Sequence, residues 1–264
     1  MALLTQLLLS GWVRSRAACV MYSHDGLWPV RHDGRAASVP AAGWQRFRGP
    51  VSSALSGTGL VADDLYLMAH SDVTGKPLLQ PRPLGIGLAG GLLAELLLDG
   101  CLAVRPDGVV TAGQTWPAGG LARTVADQIA AEHQPHPLRE WLLFFARAAA
   151  GQVADRLAQA GYLTRARSWL PGRPGRWRPV NADWAFASVL RVRSALDVTR
   201  PFDPRAAALT GLAVACGLGF RFDHDQAPAG RTAGQAVGYL PPGVRELIVQ
   251  TQAAVDSAVL SHRT

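Results

Sequence analysis

Between Leu84 and Gly100 the chain reads LGIGLAGGLLAELLLDG, and Glu95 and Asp99 are the only charged residues in it. Leu88, Leu92, Leu93, Leu96 and Leu97 cover more than one face at helical spacing. A helix that is apolar most of the way round has to be buried on most sides. The apolar stretch is short for a bilayer span and Glu95 interrupts it. The segment is therefore expected to be the central helix of a globular domain, near Leu84–Asp99, with other helices packed around it. Gly100 follows as a left-handed cap. Leu102 to Val104 and Val109 to Thr111 then flank Pro106-Asp107-Gly108, which is the pattern of a short hairpin.

The same unit recurs downstream. Val153, Leu157 and Ala160 share a helical face, Gly161 ends it, and Tyr162 to Trp169 read as a strand. Pro171 to Gly175 supply the turn and Arg176 to Val180 return. A weaker echo runs from Ala207 to Phe222 through Gly217 and Gly219. Helix, glycine and hairpin is the outline of a winged-helix unit, and it is also a general way to end a helix and begin a turn. The fold class expected is mainly α, with two small winged-helix-like β-hairpins. Helices are expected near Val61–His70, Leu84–Asp99, Gly120–Glu132, Leu138–Ala160, Asp183–Leu196, Pro204–Leu218 and Pro242–Leu260. Pro117, Pro137, Pro179 and Pro241 mark the breaks.

The chain of 264 residues is long enough for one large core or two small ones. Its net charge is +7, and Lys76 is the only lysine among 26 basic residues, so 26 − 1 = 25 are arginine. Part of that bias reflects a GC-rich coding sequence. The remainder gives a positive surface, which favours anionic membranes, phosphates or nucleic acid. Cys19, Cys101 and Cys216 have neither metal-ligand nor disulfide-framework spacing, which fits a reducing cytoplasm. Residues 1–57 stand apart. MALLTQLLLSGWV precedes Arg14 and Arg16, the reverse of a signal peptide, and Ser23 to Gly57 lack a steady period. This part is read as a disordered extension, or as sequence ahead of the true start, and 58–264 as the folded helical domain. Trp44, Arg46, Phe47 and Arg48 form an aromatic-basic cluster within the extension.

LVADDLYLMAHSDVTGK from Leu60, LGIGLAGGLLAELLLDGCLAV, PLREW and VADRLAQAGYLT resemble, in order and spacing, blocks of the Golgi phosphoprotein family, readers of phosphatidylinositol 4-phosphate. The resemblance runs from about Leu60 to the C-terminus. It implies a helical domain around a central apolar helix, a hairpin used in self-association, a basic headgroup pocket and no catalysis or cofactor. The coding bias suggests a bacterial member. The resemblance places the family's four headgroup residues, a tryptophan before the central helix, an arginine early in it and two arginines one turn apart on a later helix, on Gln80, Ala89, Arg147 and Ala150, so that Arg147 alone is kept. A charge-assisted contact to phosphate is worth on the order of 1.5–3 kcal/mol. Arg82, Lys76 and Arg139, with Arg123, are the nearby basic residues able to replace the missing ones.

Other motifs carry less. Gly85-x-Gly87-x-x-Gly90 matches the dinucleotide fingerprint, but QPRPL before it is no strand, so close helix packing is the better reading. Glu132, His133 and His136, and separately Asp223, His224 and Asp225, are loop polar clusters with no strong metal spacing. Asp63 and Asp64 suit the positive end of a helix. Glu95, a carboxylate on an apolar helix, calls for a buried arginine partner. Trp169 and Trp177, with Arg173 and Arg176, mark the second hairpin, and they read equally as an exposed interaction tip and as strand packing with a solvated arginine face. The leading expectation is a cytoplasmic, non-enzymatic protein that sits peripherally on a membrane and binds anionic phospholipid headgroups. It would self-associate through the 163–180 hairpin. The alternative is a winged-helix-like nucleic-acid or protein-interaction module, with nucleic acid the less favoured partner.

Overall fold

The computed structural model describes residues 57–166, 176–222 and 230–261, and the strand backbone of 12–15, 18–23 and 26–29. The chain divides into two compact units, Met1–Val51 and Ser52–Thr264. In the first, β1 (Trp12–Ser15), β2 (Ala18–Ser23) and β3 (Gly26–Pro29) pair antiparallel in the order β1-β2-β3, with Trp12 opposite Met21 and Val20 opposite Pro29. These strands lie within the part of the sequence read as an extension, and the boundary between the units falls at Val51–Ser52, near the change in composition at 57–58. Val13, Val20, Tyr22 and Trp28 are β-prone, but they lie in runs too short to show a period.

In the second unit the described residues form nine α-helices and two small hairpins. The helices are α1 (Val61–Met68), α2 (Pro81–Leu98), α3 (Gly120–Ala131), α4 (Leu138–Ala146), α5 (Ala149–Gln159), α6 (Asp183–Leu196), α7 (Pro204–Ala215), α8 (Ala233–Gly238) and α9 (Pro242–Leu260). The hairpins are β4 (Leu102–Val104) with β5 (Val110–Ala112), and β6 (Leu163–Arg165) with β7 (Trp177–Pro179).

The apolar helix is central, as its composition requires. Helices α1, α4, α7 and α9 pack against α2, and its residues from Pro83 to Leu96 are all buried. It starts three residues earlier than the apolar pattern suggests, because Pro81 suits the first helical turn. At 18 residues α2 is long and apolar enough to cross a bilayer, and its burial among other helices identifies it as a core helix. Its glycines are close-approach positions. A Cβ on Gly91 would lie 2.7 Å from Ala62 Cα, and one on Gly90 2.9 Å from Leu212 Cδ2. The fingerprint-like glycines thus lie inside a helix and serve packing.

The helix-glycine cap recurs three times. Gly100, Gly161 and Gly217 have φ of +68°, +82° and +81°. In each case the next residue donates its N–H back to the last turn, Cys101 to Leu96, Tyr162 to Leu157 and Leu218 to Ala213. Hairpins follow the first two. After the third, a short 3₁₀ turn at Gly219–Arg221 replaces one.

Two helices depart from expectation. The segment expected as one helix, Leu138–Ala160, breaks at Arg147-Ala148, where the Ala148 N–H bonds Phe145 three residues back rather than four. No proline or glycine marks this break. The unexpected α8 begins with a capping box, in which Thr232 accepts from the Gln235 N–H while the Gln235 side chain accepts from Thr232 N–H.

Candidate lipid-headgroup site

The site begins with the packing of α2 on α4. A Cβ on Gly85 would overlap the carbonyl oxygen of Ala146, so the first turn of α2 lies directly against the end of α4. Arg147 caps α4 there and is exposed. Arg82 lies on the first turn of α2, is exposed, and donates from Nη1 to Ser261 Oγ at 3.2 Å, which brings the end of α9 to the same place. Gln80 is the N-cap of α2 and gives no side-chain cap bond. Pro81 and Pro83 remove two of the first three N–H donors of α2, so an anion at this end has to be held mainly by side chains.

The structure thus gathers Gln80, Arg82 and Arg147 at one end of the central helix. Neither arginine forms an ion pair among the described residues. Lys76, also exposed, lies in the loop that leads into this end. The two other family positions differ in kind. Ala89 is wholly enclosed in the core, and Ala150 is half-buried on α5. Arg139 is elsewhere. It lies at the start of α4 and lines an open groove with Arg105, Asp107, Pro242 and Glu246, beside the first hairpin. Arg123 is occupied by Asp127 at 2.8 Å and by the Trp116 ring.

Charges deeper along α2 are arranged differently. Glu95 is 2% exposed. It accepts from the Ala62 N–H at 2.9 Å and pairs with Arg156 at 3.2 Å. Arg156 also holds Asp63 at 2.7 Å. The expected buried carboxylate–arginine pair is therefore present, with a second carboxylate added. Burial pushes the Asp63 carboxyl up to about 7, because the one guanidinium it shares with Glu95 offsets only part of the desolvation. Burial likewise raises the Glu95 carboxyl against the pull of Arg156. The Arg156 guanidinium is itself desolvated, but the two carboxylates more than compensate and raise its pKa. Asp64 accepts from the Thr58 N–H at 2.8 Å and pairs with Arg191 at 2.7 Å. Asp63 and Asp64 do stand in the first turn of α1, yet both are buried and ion-paired. The Asp-Asp doublet on the way into an apolar helix was the available signal for these pairs.

The second hairpin is described only at its base. Trp177 is half-buried against the core, and the Arg165 guanidinium lies 4.5 Å from the centre of its ring. Arg176 is exposed beside it. Trp169 and Arg173 lie outside the described residues, as do Asp223, His224, Asp225 and the cluster around Trp44. Arg178 donates to the Val73 carbonyl at 2.8 Å and ties this base to the loop carrying Lys76.

The described residues of the second unit thus form a helical domain around a buried central helix, with exposed arginines at one end of that helix. More particularly, the chain belongs to the Golgi phosphoprotein 3 (GPP34) family, whose model matches residues 61–251. A comparison with curated proteins finds no match. The match covers most of the second unit, α1 included, and stops within α9.

Proposed function

We propose that this protein is a non-enzymatic, peripheral membrane protein that docks from the cytoplasmic side on anionic phospholipid headgroups. By family resemblance, phosphatidylinositol 4-phosphate is the first candidate among them. The observation that carries the reading is that the start of α2, which carries Arg82, packs against the end of α4, which carries Arg147, with neither arginine in an ion pair among the described residues. Cations matched by carboxylates, such as Arg156 and Arg191, have no charge left for a ligand. Those at this end do, and each arginine near an anionic surface contributes about 1 kcal/mol.

The departures from the family pattern shape the proposal. Arg82 takes the place of the arginine that Ala89 cannot supply, and Lys76 adds charge from the loop. Gln80 offers amide hydrogen bonds in place of an aromatic wall, so selectivity among inositol lipids is expected to be weaker than selectivity for charge. Self-association through the hairpin from Leu163 to Val180 belongs to the same reading. It is checked by light scattering of the Trp169→Ala variant.

Co-sedimentation with vesicles tests the function. Binding is expected with phosphatidylcholine vesicles that contain phosphatidylinositol 4-phosphate or phosphatidylserine, and it should weaken steeply with added salt. Equal binding to pure phosphatidylcholine would refute it. Sequence-selective binding to duplex DNA at physiological salt, without vesicle binding, would favour the nucleic-acid alternative.

A further inference from the structure

The loop between α1 and α2 exposes apolar side chains in a backbone that is held in place. Val73 is 69% exposed and Leu78 is 42% exposed. His70 pairs with Pro77 in an antiparallel bridge, and the Ser71 N–H donates to Lys76 O at 2.8 Å. The N–H of Gly75 donates to Ser71 O, and that of Leu78 to Ala69 O, both at 2.8 Å. From the other side, Arg178 donates to Val73 O. Gly75, at φ +64°, lies so close to the Trp177 carbonyl that a Cβ would overlap it. The loop is therefore fastened to the base of the second hairpin, and its apolar residues are presented rather than loosely placed.

The surroundings say what such a loop fits. Lys76 lies between Val73 and Leu78, Arg178 touches Val73, and Arg82 follows Leu78 by four residues. Leu260, 65% exposed, adjoins Ser261, the partner of Arg82. Asp72 is the only carboxylate between Ser71 and Gln80. Apolar tips interleaved with cations match the boundary of an anionic bilayer, where acyl chains lie just beneath phosphates. A nucleic acid would satisfy the cations and leave Val73 and Leu78 in water.

We propose that residues 71–78 form an interfacial insertion element, with Val73 and Leu78 entering the acyl boundary while Lys76, Arg82 and Arg178 meet the phosphates. This rests on the headgroup reading above and adds that the ligand is the bilayer, not a free headgroup.

The test compares the full chain with its Val73→Ser/Leu78→Ser variant on vesicles of equal parts phosphatidylcholine and phosphatidylserine. Val73 is mostly exposed and Leu78 about half covered, so the variant should stay folded, with its melting temperature lowered by no more than a few degrees. The variant is expected to bind about tenfold or more weakly, since two aliphatic side chains no longer leave water. The slope of its affinity against salt should be retained, because the cations are intact. Equal binding by variant and wild type overturns the insertion element while leaving headgroup binding standing. Failure of the wild type to bind both these vesicles and phosphatidylcholine vesicles containing phosphatidylinositol 4-phosphate overturns the headgroup reading, and the insertion element with it. Tighter binding of the wild type to duplex DNA than to the vesicles, unaffected by the two substitutions, also overturns the insertion element.

Discussion

The two ends of the central helix place the same kind of residue in opposite settings. Toward its C-terminal end, Arg156 holds Asp63 and Glu95, Arg191 holds Asp64, and Arg205 pairs with Asp99. At its N-terminal end, Arg82 and Arg147 are exposed and have no such partners among the described residues. A buried guanidinium balanced by carboxylates holds helices together and is closed to ligands. An exposed one without a carboxylate adds little to stability and keeps its charge available. What separates structural arginine from arginine free to meet a ligand in this arginine-rich chain is its partner.

That contrast is broken most severely through Arg156. Arg156→Ala would strand two buried carboxylates and should cost about 3–5 kcal/mol at pH 8. Urea denaturation reads this directly, and a loss below about 1 kcal/mol would show that the network is not structural. Packing around the same half of α2 comes next. Gly91→Ala places a methyl against the Ala62 backbone and should cost about 1–3 kcal/mol, seen as a lower melting temperature with vesicle affinity unchanged per folded molecule.

The carboxylates held by Arg156 also make stability depend on pH. Asp63 titrates near 3.8 in an unfolded chain and at about 7 in the folded protein. Between these values the folded state holds the extra proton. The stabilisation is complete below 3.8, declines as pH rises and is gone above about 7. Glu95, raised in the same direction, adds to the same slope. Asp63→Asn should flatten stability against pH between 4 and 7, read as urea midpoints. An unchanged slope would show that Asp63 is not the group responsible. The smallest stability effect belongs to the other end: Arg82→Ala and Arg147→Ala should each change it by less than about 0.5 kcal/mol, within reach of thermal melts.

Much of the scaffold was legible in the sequence because its causes are local. The apolar run required a buried helix, the glycines after Asp99 and Ala160 required left-handed caps, and Glu95 required a cation. The α4–α5 break was hidden because Phe145 to Ala149 contain no helix breaker, and tertiary packing decides it. Helix α8 had a signal in Thr232 and Gln235 that its short length obscured. The site was legible only in part. Arg147 is legible from resemblance and Arg82 from nearness in sequence, but their placement at one end of α2 depends on Gly85 against Ala146. Arg139 was equally near in sequence and lies in a different groove, because it starts the helix that Arg147 ends.

On the proposed function, vesicle binding follows the position of Arg82 and Arg147 rather than net charge. Two double variants test it, Arg82→Ala/Arg147→Ala and Arg200→Ala/Arg245→Ala. Each lowers the net charge from +7 to 7 − 2 = +5. The second pair is also surface arginine, and Arg245 belongs to the start of α9, which packs at the far end of α2 through Gly243 and Leu97. Affinity for vesicles containing phosphatidylinositol 4-phosphate should fall about tenfold or more for the first variant, at about 1 kcal/mol per arginine, and stay near wild type for the second. Equal losses in the two variants would mean that binding follows overall charge and that the end of α2 holds no site.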